Sequence, residues 1–309
     1  MKKKMINRTF IQGMLYQHSL EKKVVNNPES TNNGVEYITG NIEIATDDKK
    51  VNIVTVHFSF VTALTKSQKP NATFNTLSDI ISGKHGSIMA DGEDNAVYLT
   101  VDSAIGLNEF YSDRNGADEL VSVKRNEGGF VHVANTINED EKTRNTFETD
   151  IIITNVRHID ADDEKGNPEK AIIKGAIFDF RNAILPVEFS VLNPNAIAYF
   201  EGLEASSKAP VFTKIRGRQI SETIVRKIEE ESAFGETFVR EVPSSRKDFV
   251  VTWAQQTPYE WDSEDSILAS EFAELITARN TYLATLKKRQ DEYKASKGQG
   301  STSNSGFDF

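Results

Sequence analysis

The chain has 309 residues, a formal net charge of −10, 38% hydrophobic and 27% charged residues, and a mean hydropathy of −0.45. That length suits two ordinary domains plus an appendage, no apolar run approaches the ~20 residues of a membrane-spanning helix, and the acidic balance argues against coating nucleic acid by bulk charge. Cysteine is absent, which excludes disulfides, thiolate metal sites and thiol catalysis and fits a cytoplasmic protein, in the host cytoplasm if it is viral.

The start, Met1-Lys2-Lys3-Lys4-Met5, is basic, but no apolar segment or small-residue cleavage site follows, so no signal peptide is expected. Ile6 to Leu20 reads as a first strand and 26–34 as a polar loop. Tyr37-Ile38-x-Gly40-x-Ile42-x-Ile44 and Val51 to Thr62 alternate with period two, as half-buried strands do. Phe74 to Ile81 is a short helix closed by Gly83. Strands resume at Ala96–Val101, Leu120–Lys124 and Gly129–Ala134. The polar, aperiodic stretch 136–149 reads as a linker between a first domain, 1–135, and a second, 150–255. In the second, strands are expected over Ile151–Ile159, Lys170–Phe180 and Ile184–Leu192, then a helix Pro194–Leu203 capped by Asn193. Strands Val211–Ser221, Phe238–Val242 and Phe249–Trp253 follow. Residues 256–297 form a C-terminal helical segment, with Ser263-Glu264-Asp265 at the helix start and an apolar stripe from Ile267 to Leu286. Residues 298–309 read as a flexible tail.

The two halves share three motifs in one order. Ile38-Thr39-Gly40-Asn41-Ile42, Val56-His57-Phe58-Ser59 and Pro70-Asn71-Ala72 are echoed by Ile173-Lys174-Gly175-Ala176-Ile177, Val187-Glu188-Phe189-Ser190 and Pro194-Asn195-Ala196. This is a domain copied once, not a solenoid unit. Each copy reads strand, strand, strand, helix, strand, strand. That order is that of the five-stranded OB barrel, and Gly40 and Gly175 would mark the sharp bend of an early strand. The expected fold is therefore mainly β with a C-terminal helix, two OB-like barrels in tandem. Other small barrels or a sandwich are the alternatives.

Signals for enzymatic chemistry are nearly absent. The 5 histidines form no metal-binding pair, no phosphate loop or nucleophile elbow occurs, and the acidic run Asp160 to Glu164 has its glycine misplaced for a calcium loop. No cofactor is expected. Single strands are held by aromatic faces beside Lys or Arg, and Lys208, Lys214, Arg216, Arg218, Arg226 and Lys227 crowd one stretch. Phe212, Lys214, Arg216 and Arg218 alternate, so they share one strand face. With Phe178, Phe180 and Arg181 on an earlier strand, and Tyr37, Lys66 and Lys69 in the first copy, they are the candidate DNA-binding residues. The competing reading for Phe178 and Phe180 is a core position, since period-two aromatics in a small barrel usually face inward.

The plan of OB domain, flexible linker and short terminal tip resembles the single-stranded-DNA-binding proteins of bacteria and their phages. The tip Phe307-Asp308-Phe309 looks like the phage version, although only one Asp is present, and Ile6-Asn7-Arg8-Thr9-Phe10-Ile11-Gln12-Gly13 is similar to that family's opening strand. The resemblance implies that the tip docks on replication proteins and, as in some members of that family, competes with DNA for the groove. It points to sequence-tolerant binding of single-stranded DNA in replication or recombination, without bond chemistry and without a membrane. The alternative is a structural or protein-interaction role in a virion built from small barrels. A carbohydrate-binding barrel would want more exposed aromatics than Trp253 and Trp261.

Overall fold

The strands fall into two units, each with a circuit of five barrel strands paired in the same way. The computed structural model describes residues 4–112, 118–162, 168–231, 237–264 and 266–298. The first unit holds β1 (Asn7–His18), a short edge strand β2 (Glu21–Val24), β3 (Glu36–Ala45), β4 (Ile53–Thr62), helices α1 (Ala72–Ile81) and α2 (Ile88–Asp91), β5 (Tyr98–Ser112) and β6 (Glu119–Val133). The second holds β7 (Asn145–Ile159), β8 (Lys170–Phe178), β9 (Ile184–Val191), α3 (Pro194–Gly202), β10 (Val211–Glu231) and β11 (Thr237–Ala254), and α4 (Ala269–Gly298) follows.

In the first unit β1 pairs with β3, β3 with β4, β4 with β6 in parallel, β6 with β5, and β5 with β1, which closes a barrel. In the second, β7–β8–β9, the parallel pair β9–β11, then β10 and back to β7 repeat that circuit. A helix bridges the third and fourth barrel strands each time. Two OB barrels in tandem therefore follow from the ladders alone. The repeated motifs fall on equivalent elements. Ile38, Ile42, Ile173 and Ile177 are fully buried on the second barrel strands, with Phe58 and Phe189 on the third. The helix caps shift by two residues relative to the third motif. Asn71 accepts from the Thr73 N–H, whereas Asn193 accepts from those of Asn195 and Ala196.

Gly40 has φ of +123°, and a Cβ there would sit 2.2 Å from the Ser19 carbonyl oxygen; at Gly175 it would sit 2.4 Å from that of Ile152. The bend thus needs glycine because the second strand presses on the first. Alternating apolar residues fill each barrel, and Phe74, Leu77 and Ile80 of α1 and Ile197 and Phe200 of α3 plug them.

Several boundaries differ from the sequence expectation. Asn145–Thr149, expected in a linker, form strand: they pair with Asn7–Ile11 of β1 and join both barrels into one sheet. Asn145, Glu148 and Thr149 are polar yet buried, because other groups of the chain satisfy them. Asn145 is fully buried, accepts from the Gln219 N–H at 3.1 Å and donates to the Thr46 hydroxyl and the Gln219 carbonyl. Gln219 and Asn126 exchange amide hydrogen bonds at 2.7 and 2.9 Å, and Asn52 reaches the Gln219 carbonyl. The β5–β6 and β10–β11 hairpins run much further than the short strands expected. The helix starts at Ala269, not Ser263: the Glu271 carboxylate takes the Leu268 N–H at 3.1 Å, half of a capping box. The expected stripe divides, with Ile267, Phe272 and Leu275 packed inward and Leu268, Ile276 and Tyr282 exposed.

The β5–β6 hairpin is an arm laid on the second barrel. Lys124 donates to the Glu188 carbonyl and lies 4.6 and 4.5 Å from the ring centroids of Phe189 and Phe249. Burial pushes its ammonium down to about 8, against a pull upward from Asp248 and Glu188. A depressed base favours folding as it loses its proton. Stability is therefore expected to rise as pH climbs from about 8 towards the unfolded value of 10.5. Thermal melts across that window should show a rise in the parent that Lys124→Met abolishes. On the other side of the arm, α4 holds it through the buried pair Arg279–Glu109 and through Lys287 and Lys294 on Asp118.

His158, at the end of β7, donates from Nδ1 to the Glu201 carboxylate of α3 at 2.7 Å and lies near Glu169 and Asp160. The hydrogen bond to Glu201, then the other carboxylates, raise its pKa above 6.5. Its contribution is present below the unfolded pKa and lost as pH rises through the folded one. An NMR titration should give a midpoint above 6.5 that falls in Glu201→Gln.

Candidate nucleic-acid interface

Where the two barrels share a sheet, four side chains line up across four neighbouring strands. Arg8 on β1 is opposite Glu148 on β7, Glu148 is opposite Arg216 on β10, and Arg216 is opposite Trp253 on β11. Period-two geometry puts all four on one face. Glu148 is 7% exposed and is the anchor. One of its oxygens accepts from Arg8 Nε at 2.8 Å and from an Arg8 Nη; the other accepts from Arg216 Nε and Nη2 at 3.0 and 2.9 Å. Lys214 Nζ stands 3.9 Å away. Burial alone would raise the Glu148 carboxyl, but the hydrogen bonds from Arg8 and Arg216 outweigh it and hold it below its ordinary value.

The outcome is a fixed cationic surface. The Arg8 and Arg216 side chains keep 72% and 53% exposure, and each guanidinium has N–H donors left after serving one carboxylate oxygen. The Arg216 guanidinium lies 4.7 Å from the ring centroid of Trp253, which is itself exposed. Such an array can meet phosphate oxygens, and its aromatic member can meet a base.

The structure separates the sequence-predicted residues into four places. Arg216 belongs to this row, and Lys214, two residues along the same strand face, stands beside Glu148. Arg218 lies one step along the same strand face, its Nε buried without a hydrogen-bond partner among the described residues. The acids opposite this strand face, Glu148 and Asp150, come from β7. This face also belongs to the first, fourth and fifth barrel strands, not to the second and third. Phe178 is corrected outright. It is fully buried, edge-on to Phe212 at 6.3 Å, and takes no base. The alternation was right, but Tyr259, Trp261, Phe272 and Leu275 fold back over that face and cover both Phe178 and Phe212. Phe180 and Arg181 lie beyond β8, on the turn into β9, both exposed, with the guanidinium 5.0 Å from the ring centroid. Tyr37 packs against Phe60 at 4.5 Å on the outer face of β3 and β4, and Lys66 and Lys69 are exposed on the loop after β4. The side chains of Arg226 and Lys227, and Phe307, Asp308 and Phe309, lie outside the described residues.

Arg8, Glu148, Trp253 and Phe60 were not singled out from the sequence. Arg8 and Phe10 do alternate in the opening strand, which was the available signal; nothing local marks Glu148.

A family model described as YorF matches residues 6–297. The chain belongs to the YorF family. No curated protein matches its sequence significantly. Among solved structures, this YorF-family chain is similar to the wild-type single-stranded DNA binding protein from Thermus aquaticus, with a TM-score of 0.45 and 9% identity over 84% of this chain and 97% of that one. A deletion mutant of the same protein gives the same score and identity over 84% and 98%. The barrel assignment rests on the strand pairing above and is independent of these two likenesses.

Proposed function

We propose that this protein binds single-stranded DNA without strong sequence preference and performs no bond chemistry. The observation that carries this reading is the row Arg8–Glu148–Arg216–Trp253, in which a buried carboxylate fixes two exposed guanidiniums beside an exposed indole. Phosphate contacts are blind to sequence, and aromatic stacking tolerates any base. A patch of this kind works within a chain of net charge −10, because ionic strength screens charges beyond about 8–10 Å. The setting we favour is replication or recombination of a phage in its host's cytoplasm, with Phe307-Asp308-Phe309 meeting a replication partner.

The test is fluorescence anisotropy of a labelled thymidine oligonucleotide at low and moderate salt, beside the matching duplex. Tight, salt-sensitive binding that prefers the single strand supports the proposal. The net acidity favours the second reading, a structural or interaction protein of a virion. No binding at low salt, with large assemblies in light scattering, would establish that reading instead.

A further inference from the structure

A cleft of about 890 Å³ opens between the barrels, and its lining is mostly apolar. The two most exposed large apolar side chains among the described residues, Phe180 at 83% and Phe130 at 68%, both line it. They come from different barrels, and local contacts set the backbone at each. Phe180 sits in a turn where the Asp179 carboxylate accepts from the Arg181 and Ala183 N–H groups at 2.8 Å. Phe130 follows Gly128 and Gly129, both at positive φ, in a bulge pressed on the Asp102 carbonyl. A third aromatic, Tyr282 of α4, is also exposed there.

Arg279 supplies the polar feature. It lines the cleft, its side chain is 10% exposed, and while one Nη pairs with Glu109, its Nε is buried without a hydrogen-bond partner among the described residues. A buried donor left unpaired is costly and is normally satisfied by a ligand or water.

Resting on the single-strand reading above, we infer that this cleft receives unstacked nucleobases of the bound strand. The chemistry selects a base over a phosphate. Rigid aromatic rings offer faces for stacking. Asp102, Glu109, Glu127 and Asp179 outnumber Arg181 and Arg279 along the lining, which repels phosphate but not a neutral ring. The backbone then stays outside while bases turn inward, a division of labour with the Arg8–Arg216 row.

The experiment uses a thymidine oligonucleotide carrying one 2-aminopurine. Bound to the parent, the probe should be shielded from acrylamide. Phe130→Ala with Phe180→Ala should remove the shielding and weaken binding about tenfold or more, with an unchanged salt slope because no charge is lost. Phe180→Trp should keep the shielding. Both Phe side chains are exposed, so the thermal midpoint should hold, and it is checked on each variant. If the double variant binds and shields like the parent, the cleft inference is overturned while single-strand binding stands. If the double variant instead loses binding only to a basic aromatic peptide, the cleft is a protein-docking site and the inference also falls. If the parent binds no oligonucleotide at all, both readings fail together.

Discussion

Asn145→Ala is expected to destabilise the protein by about 2–4 kcal/mol, read as a shift of the urea midpoint at constant slope. The side chain is fully buried, and its amide satisfies both the N–H and the C=O of Gln219 as well as touching Thr46. Alanine leaves the Gln219 N–H orphaned where water cannot reach, and weakens a network spanning both barrels. Gln219→Ala is the control. Its backbone keeps Asn145 while only the exchange with Asn126 is lost, so about 1–2 kcal/mol is expected. Equal effects of the two substitutions would show that the network does not act as described.

The second large effect concerns binding. Arg8→Glu or Arg216→Glu would set a carboxylate against Glu148 and confuse unfolding with lost contact. The cleaner variant is Arg8→Gln, Glu148→Gln and Arg216→Gln together, which removes two cations and the buried anion they compensate. Single-strand affinity at low salt should fall about tenfold to a hundredfold, and the slope of log K against log salt should shrink by about 1.4, roughly 0.7 for each lost phosphate contact. An unchanged slope would remove these arginines from the interface. A shrunken slope with retained 2-aminopurine shielding would separate phosphate from base recognition.

Both effects arise from residues whose role the sequence conceals. The barrels were legible because their cores alternate: Ile38, Ile42, Val56 and Phe58 repeat as Ile173, Ile177, Val187 and Phe189. The segment 145–149 was read as linker because Asn145 and Glu148 are polar, and a polar run looks the same whether water or a distant strand satisfies it. The partners, Gln219, Arg8 and Arg216, are 68 or more positions away. The hairpin arm β5–β6 was cut short for a similar reason, since Arg279, Lys287 and Lys294 hold it from the far end of the chain. The strand face bearing Phe212, Lys214 and Arg216 was found correctly by its period. What period cannot give is whether another segment covers the face, and here Tyr259 to Leu275 covers one end and leaves the other to solvent.

The ladder between β1 and β7 has a further consequence. These are the opening strands of their barrels, they run antiparallel, and each offers the other the half that its own barrel pairs only on one side. That is the geometry of an isologous twofold contact, in which a surface meets its own copy. A chain carrying one barrel would present the same open edge to a second copy. Joining two copies end to end turns that encounter into an intramolecular one, independent of protein concentration. It also frees each barrel to diverge, and the row Arg8–Glu148–Arg216–Trp253 already breaks the twofold, since it draws one residue from the first copy and three from the second.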